Sequence, residues 1–369
     1  MRRDTADYRR LFLEDVPLLD VRAPVEFAEG AFPQAVNRPL LTDAERHAVG
    51  IRYKSHGQDA AIALGYELVS PEEKARRVAL WLDFARAHPE GVLYCFRGGL
   101  RSRLTQQMLR EAGMDYPRVI GGYKALRRFA LDSLARQSGE VALWVVAGRT
   151  GSGKTPFIRS LSRYLDLEGL AHHKGSAFGR RALPQPPQIG IDNALSIGLM
   201  KLLAAASAPV VVEDESRAVG SREITMPFWN AMSTAPVVVL EQPFAARVEQ
   251  SLNNYVLDLF GEFRALNTGK DVAFAAFSSH LRESLARIER RLGGARYRHV
   301  AGLLDGALDA FGTKGDVDGF RELIALLLRD YYDPMYDHQI GKKADRIRFR
   351  GEPDAVRAYL EARLAGGVS

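Results

Sequence analysis

The chain has 369 residues, enough for two or three domains, and 46% of them are apolar, enough for sizeable cores. A formal charge of +6 is compatible with a nucleic-acid partner without demanding one. No apolar run approaches the roughly 18 residues that span a bilayer; residues 1–7 lack the apolar segment of a signal peptide, and one cysteine excludes an internal disulfide, so the expected setting is a reducing cytoplasm with no membrane role.

Taken in order, Val16-Pro17-Leu18-Leu19 is an apolar segment followed by Asp20-Val21-Arg22. Ser70-Pro71-Glu72-Glu73 is a capping box with proline at the first helical position, and it predicts a helix to about His88. Val92-Leu93-Tyr94 reads as a short buried strand ending at Cys95. The loop Phe96-Arg97-Gly98-Gly99-Leu100-Arg101-Ser102 then leads into a helix with Leu104, Met108 and Leu109 inward. Backbone amides, the helix dipole, Arg97 and Arg101 would all favour the Cys95 thiolate, which is the reactive form. These three residues are the candidate catalytic set; a small buried hydrophobe is the plain alternative for the cysteine. From Arg97 to Arg136 nine basic residues (Arg97, Arg101, Arg103, Arg110, Arg118, Lys124, Arg127, Arg128, Arg136) face only Glu111, Asp115 and Asp132. They suit either a solvated helix face or an RNA backbone.

Val141 to Ala147 is a continuous apolar strand, and Gly148-Arg149-Thr150-Gly151-Ser152-Gly153-Lys154-Thr155 fits G-x-x-x-x-G-K-[ST] at every position. Phe157, Ile158, Leu161 and Leu165 follow at helical spacing, and Pro156 falls in the first turn, where its missing N–H costs little. Strand, loop and helix predict a phosphate cradle built from Gly148, Gly151, Ser152, Gly153, Lys154 and Thr155. Lys154 would reach the terminal phosphates, and Thr155 a magnesium ion. Pro209 to Ser216 is a second buried strand ending in acids, with Asp214 the expected metal partner of Thr155 and Glu213 next. Pro236 to Glu241 is a third strand. Between the first two, His172 to Gly179 and Leu183 to Gln188 read as a substrate-covering loop. From Phe244 the pattern turns helical, with Leu281, Leu285, Ile288 and Leu292 on one face. Tyr331 to Tyr336, Lys342-Lys343 and Arg346 to Arg350 interleave aromatics with cations, which suits either packing or a grip on single-stranded nucleic acid.

The first part of the chain resembles a rhodanese domain in Asp20-Val21-Arg22, Glu26-Phe27, Gly30 to Pro33, the Cys95 loop and Val119 to Tyr123. Cys95 to Arg101 is C-x5-R, one residue longer than the usual sulfurtransferase loop and equal to the spacing of cysteine-dependent phosphatases. A wider cradle suits a tetrahedral anion or a larger chalcogen; a phosphatase also needs a general acid, and no clear aspartate offers itself. With the phosphate loop, His173-Lys174-Gly175-Ser176 and Tyr331 to Tyr336, the chain as a whole resembles the bacterial tRNA 2-selenouridine synthase family.

The resemblance implies an α/β protein in three parts: a rhodanese-like domain over 1–136, a P-loop parallel-sheet domain over 137–243 and a mainly helical region over 244–369 suited to tRNA. It implies a tRNA-modifying transferase that alkylates wobble 2-thiouridine with geranyl diphosphate and then exchanges the geranylated sulfur for selenium from selenophosphate. Magnesium and a selenophosphate-producing enzyme are the further expected partners. The alternative is a P-loop kinase or ATPase fused to a cysteine-dependent phosphatase acting on a small molecule.

Overall fold

The computed structural model describes residues 2–365, a mixed α/β chain with two parallel sheets and a helical C-terminal region. Contacts divide it into two units: unit 1 takes residues 1–137 and 187–204, unit 2 residues 138–186 and 205–369.

Unit 1 is built on three parallel strands, β1 (Leu18–Asp20), β2 (Ala35–Asn37) and β3 (Val92–Tyr94), in the order β2-β1-β3. Alternation along the strands sends side chains into two cores. Leu18, Val92 and Tyr94 join Phe12, Phe32 and Leu126 on one face. Leu19, Val21, Leu93 and Cys95 join Trp81, Phe84 and Leu109 on the other. The helix Pro71–Ala87 opens where the capping residues predict, with Ser70 accepting from the Glu73 N–H at 3.2 Å. Expected strand character near Val119 is reduced to single bridges, Leu93 to Arg118 and Thr5 to Val119, because the chain turns at Gly121 and starts a helix at Gly122. Helical residues Asp43–Leu68 have no counterpart in the sequence reading. They break at Gly57 (φ 82°) and are largely exposed, so no apolar stripe announces them. Buried Arg77 donates to Glu45, Glu73 and the Leu40 carbonyl, tying this segment to the helix that follows.

Unit 2 holds five parallel strands, β4 (Leu143–Ala147), β5 (Tyr164–Leu165), β6 (Val210–Glu213), β9 (Val237–Leu240) and β10 (Ile347–Gly351), ordered β10-β9-β4-β6-β5. A hairpin of β7 (Ala218–Val219) and β8 (Arg222–Glu223) stands apart from them. The three strands expected from sequence form the centre, apolar except for Glu213 at the end of β6 because both faces are covered. The helix after the phosphate loop stops at Arg159, so Leu161 lies beyond it and Leu165 belongs to β5. Arg163 explains the switch: it donates to the carbonyls of Ala206, Ala208 and Pro209 and holds this stretch at the sheet edge.

Two departures redraw the expected boundaries at 136 and 243. The helix Gln188–Ala205, inside the span expected for the P-loop domain, supplies Ile197 and Met200 to a unit 1 core. Strand β10 and the helix Pro353–Ala365, in the region expected to be helical, complete the P-loop sheet, where Val356 and Leu360 pack on Val146, Phe157 and Val238. The remaining C-terminal helices enclose their own core, in which Leu281, Leu285, Ile288 and Leu292 are all buried as their spacing predicts.

Candidate active site

In unit 1, the Cys95 loop leaves the C-terminal end of β3 and is held from behind by the turn at Gly121-Gly122. The Tyr123 and Lys124 N–H groups donate to the Cys95 and Phe96 carbonyls at 2.9 Å each. A Cβ on Gly122 would lie 2.3 Å from the Cys95 carbonyl oxygen, so only glycine permits this approach. Cys95 is 3% exposed, and its thiol donates to the Ser102 hydroxyl at 3.3 Å. That hydroxyl donates in turn to the Gly99 carbonyl at 3.0 Å.

Arg101 stands by the cysteine with Glu26 as a bidentate partner, its second bond 3.0 Å long. Burial works against the Arg101 charge, but the bonds and charge of Glu26, with Cys95 adding less, raise its pKa. The positive charge expected to favour the thiolate is thus shared with a carboxylate. Arg97 is exposed. Asp20 and Arg22, quoted above for resemblance, are 0% and 1% exposed and form a bidentate pair. Tyr94 donates to the same carboxylate, and the Arg22 guanidinium stacks 3.7 Å from the Tyr123 ring. This pair is a lock between strand and loop. Of the nine basic residues, Arg101, Arg110, Arg118, Arg127 and Arg128 each pair with a carboxylate. Arg97, Arg103, Lys124 and Arg136 are exposed outside these pairs, and Arg110 and Arg128 are exposed within theirs, so an RNA footprint here would rest on those six.

In unit 2, the phosphate loop runs from β4 into the helix Lys154–Arg159, with Gly151 and Gly153 at positive φ. Lys154 donates to the Gly148 carbonyl at 3.0 Å, folded back over the loop, with its ammonium 5.5 Å from the Tyr336 ring. Burial opposes that ammonium, but Tyr336, Glu168, Glu215 and Asp214 outweigh it and raise its pKa. The loop lines a cavity of about 280 Å3 with Lys174, Asn254, Tyr255 and Tyr336 on its other walls. A narrow apolar slot of about 50 Å3, walled by Leu281, Phe320, Leu323 and Leu327, shares Thr150 and Tyr255 with that cavity. The Ser251 hydroxyl, 2% exposed and without a hydrogen-bond partner among the described residues, also lines the slot.

The expected metal pair acquires different neighbours. Thr155 donates to Glu168 at 2.8 Å, whereas both Asp214 oxygens are taken by Lys343. Glu213 is fully buried and accepts the Leu167 N–H at 2.9 Å. The acid beside Glu168 is Glu215; burial first, and the Glu168 charge next, push its pKa well above the carboxylate range. Gly175 lies directly over the two: a Cβ there would fall 2.7 Å from a Glu215 oxygen and 2.8 Å from one of Glu168. A buried carboxyl that favours its protonated form, with a second acid and a threonine hydroxyl beside it, makes a donor set that fits a divalent cation. Among the described residues no three acidic, histidine or cysteine side chains converge as ligands, so water and phosphate would complete the shell.

The segment Tyr331 to Tyr336 packs. Asp333 makes a bidentate pair with Arg247, which is 3% exposed, and Asp337 makes another with Arg149 of the phosphate loop. π-Helical turns at Asn253–Leu257 and Leu328–Tyr332 bring Tyr255 and Tyr332 to the cavity and slot. Arg346 is also structural, donating to the Met232 and Ala235 carbonyls, and Phe349 stacks on Tyr359. Sequence reasoning missed Glu168 and Tyr255; Glu215 and Tyr336 lay in segments it singled out, the acid-tipped strand Pro209 to Ser216 and the run Tyr331 to Tyr336, but were given no role in this site.

Strand, phosphate loop and acid-tipped neighbouring strand define unit 2 as a P-loop domain, joined in one chain to an α/β unit with a cysteine loop. A family model described as the tRNA 2-selenouridine synthase AAA domain matches residues 141–366. The tRNA 2-selenouridine synthase of Azotobacter vinelandii is 53% identical over the full length of both chains. That of Bordetella bronchiseptica is 54% identical over 98% of each, and that of Pseudomonas aeruginosa PAO1 52% over 99% of each. The chain belongs to the tRNA 2-selenouridine synthase family. Among its described residues, no helix is long and apolar enough to cross a membrane.

Proposed function

We propose that this enzyme converts wobble 2-thiouridine in tRNA to 2-selenouridine through an S-geranyl intermediate, with geranyl diphosphate and selenophosphate as donors. The observation that carries the reading is the junction of a phosphate cradle with an apolar slot through Thr150 and Tyr255. A nucleoside triphosphate needs the cradle and has no use for a slot lined by leucine and phenylalanine. A prenyl diphosphate has a use for both, with the slot, at about 50 Å3, widening to admit the ten-carbon chain.

In the first step the thiouridine sulfur attacks C1 of the prenyl chain, the C1–O bond breaks, diphosphate leaves with the bonding pair, and the base gives up its N3 proton to solvent. Lys154 and the loop amides stabilise the charge that develops on its oxygens. Thr155, Glu168 and Glu215 would hold magnesium, which when bound supplies further charge neutralisation at the leaving group. In the second step selenium attacks C2 of the base, the C2–S bond breaks, and geranylthiolate leaves and takes up a proton. Selenophosphate carries selenium at the selenide level, so the exchange needs no oxidant, and water cleaves the P–Se bond to release phosphate. The cradle around Cys95 and Arg101 is the proposed site for selenium handling, where a tetrahedral anion would meet backbone amides. The base is drawn from an anticodon loop, where unstacking is cheap.

The test is nucleoside mass spectrometry on a 2-thiouridine anticodon stem-loop incubated with the enzyme and geranyl diphosphate, with and without selenophosphate. The expected result is S-geranyl-thiouridine that becomes selenouridine only when selenophosphate is added. Unchanged thiouridine together with strong ATP turnover would replace this reading by the kinase–phosphatase one.

A further inference from the structure

Unit 1 carries a second apolar feature. A groove of about 540 Å3, within the range of ligand sites, opens between the broken helical segment 43–68 and the helices Pro71–Ala87 and Leu100–Glu111. Its floor includes Leu40, Trp81, Leu104 and Met108, which belong to the same core cluster as Cys95. Its outer wall carries Ile51, 56% exposed, and Tyr53, 57% exposed, two large apolar side chains with no packing reason to face solvent. Its charged lining is of one sign: among the described residues it takes Arg46, Lys54, Lys74, Arg77 and Arg101 and no carboxylate. Arg46 and Arg101 pair with Glu26, and Arg77 with Glu45 and Glu73, which leaves the positive character of the groove to Lys54 and Lys74. Arg101 is at once a groove residue and a neighbour of the cysteine.

We infer that this groove binds the apolar substituent of a nucleic acid substrate, the S-geranyl group of the modified base, while selenium is delivered at the Cys95 loop. The inference rests on the function proposed above and assigns a place to the ten-carbon leaving group in the second step. An apolar floor with a cationic rim and no acidic lining suits an anion that carries a hydrocarbon chain. Holding the hydrocarbon beside the cysteine also orients C2 of the base toward the incoming selenium.

The experiment compares binding of two anticodon stem-loops to the full-length enzyme, one with wobble S-geranyl-2-thiouridine and one with S-methyl-2-thiouridine, by fluorescence anisotropy. Nine additional buried carbons predict a preference of at least about a hundredfold for the geranyl form. Ile51→Asp, at an exposed position that leaves the core intact, should cut that ratio at least tenfold; Val49→Asp on the same wall serves as a second variant. A wild-type ratio near one overturns the groove assignment, as does a ratio that survives both substitutions. A concentration-dependent dimer abolished by Ile51→Asp, with the ratio intact, would overturn it in favour of a second copy of the chain. Failure of the wild-type enzyme to selenate the S-geranyl loop, read separately by mass spectrometry, would refute the functional reading beneath it.

Discussion

Arg22→Ala tests whether the Asp20–Arg22 pair is a structural lock. The substitution removes a bidentate ion pair, a donor to the Gly30 carbonyl at 3.0 Å and a guanidinium stacked on Tyr123. It strands the Asp20 carboxylate, 0% exposed, with the Tyr94 hydroxyl and the residue 22 backbone N–H as remaining donors. Breaking one side of a buried pair costs about 3–5 kcal/mol. Each kcal/mol lowers the midpoint by about 2–4 °C in a domain of this size, so unit 1 should melt roughly 10 °C lower. Circular dichroism melts, with limited proteolysis to report each unit, would show the shift confined to unit 1 fragments. A melting point within 1 °C of wild type would refute the reasoning.

Glu215→Gln tests the acid pair. A carboxyl whose folded-state pKa is raised stabilises the fold at pH values below its unfolded pKa, and that contribution disappears as pH rises through the folded value. Unit 2 of wild type should therefore lose stability above the ordinary carboxylate range of about 4.5, and the glutamine variant should lose less. Urea melts from pH 5 to 8 give the comparison, and parallel curves would remove Glu215 from the account. Magnesium binding should release protons in wild type, measurable by calorimetry in two buffers of different ionisation enthalpy, and fewer in Glu215→Gln. Lys154→Ala should weaken use of geranyl diphosphate by about 2–3 kcal/mol in kcat/KM, the loss of one charge-assisted contact at the leaving group; unchanged donor kinetics would make the loop structural. Cys95→Ala should stop selenation and spare geranylation in the stem-loop assay, and retained selenation would remove the cysteine from the chemistry.

The parts of this enzyme legible in the sequence are those whose chemistry is local. A phosphate loop needs only its own glycines, a preceding apolar strand and a following helix, all within residues 143–159. The Cys95 loop is of the same kind. The Thr155 partner could not be read in this way, because Glu168 reaches it through the turn after β5, and Glu215 acts on both through burial rather than spacing. The basic stretch 97–136 looked like a surface for RNA because its acids lie far away in sequence: Glu26 for Arg101, Asp4 for Arg118, Asp192 for Arg127. Strand β10 was hidden by its own edge position, where alternating arginines face solvent and leave only Ile347 and Phe349 to hint at a sheet.

The helix Gln188–Ala205 is encoded within the span of the P-loop unit and packs in unit 1, so the chain passes between the units three times. A ribosome must therefore synthesise past residue 204 before unit 1 has all its core, several seconds after its first 137 residues emerge at ordinary elongation rates. Unit 2 waits still longer, for β10 at residues 347–351. Neither half ripens early, and a gene cut at residue 136 would yield a cysteine unit lacking Ile197 and Met200 from its core. The two units are thus bound together by the order of their encoding, and such a chain cannot be shuffled by recombination at a single crossover.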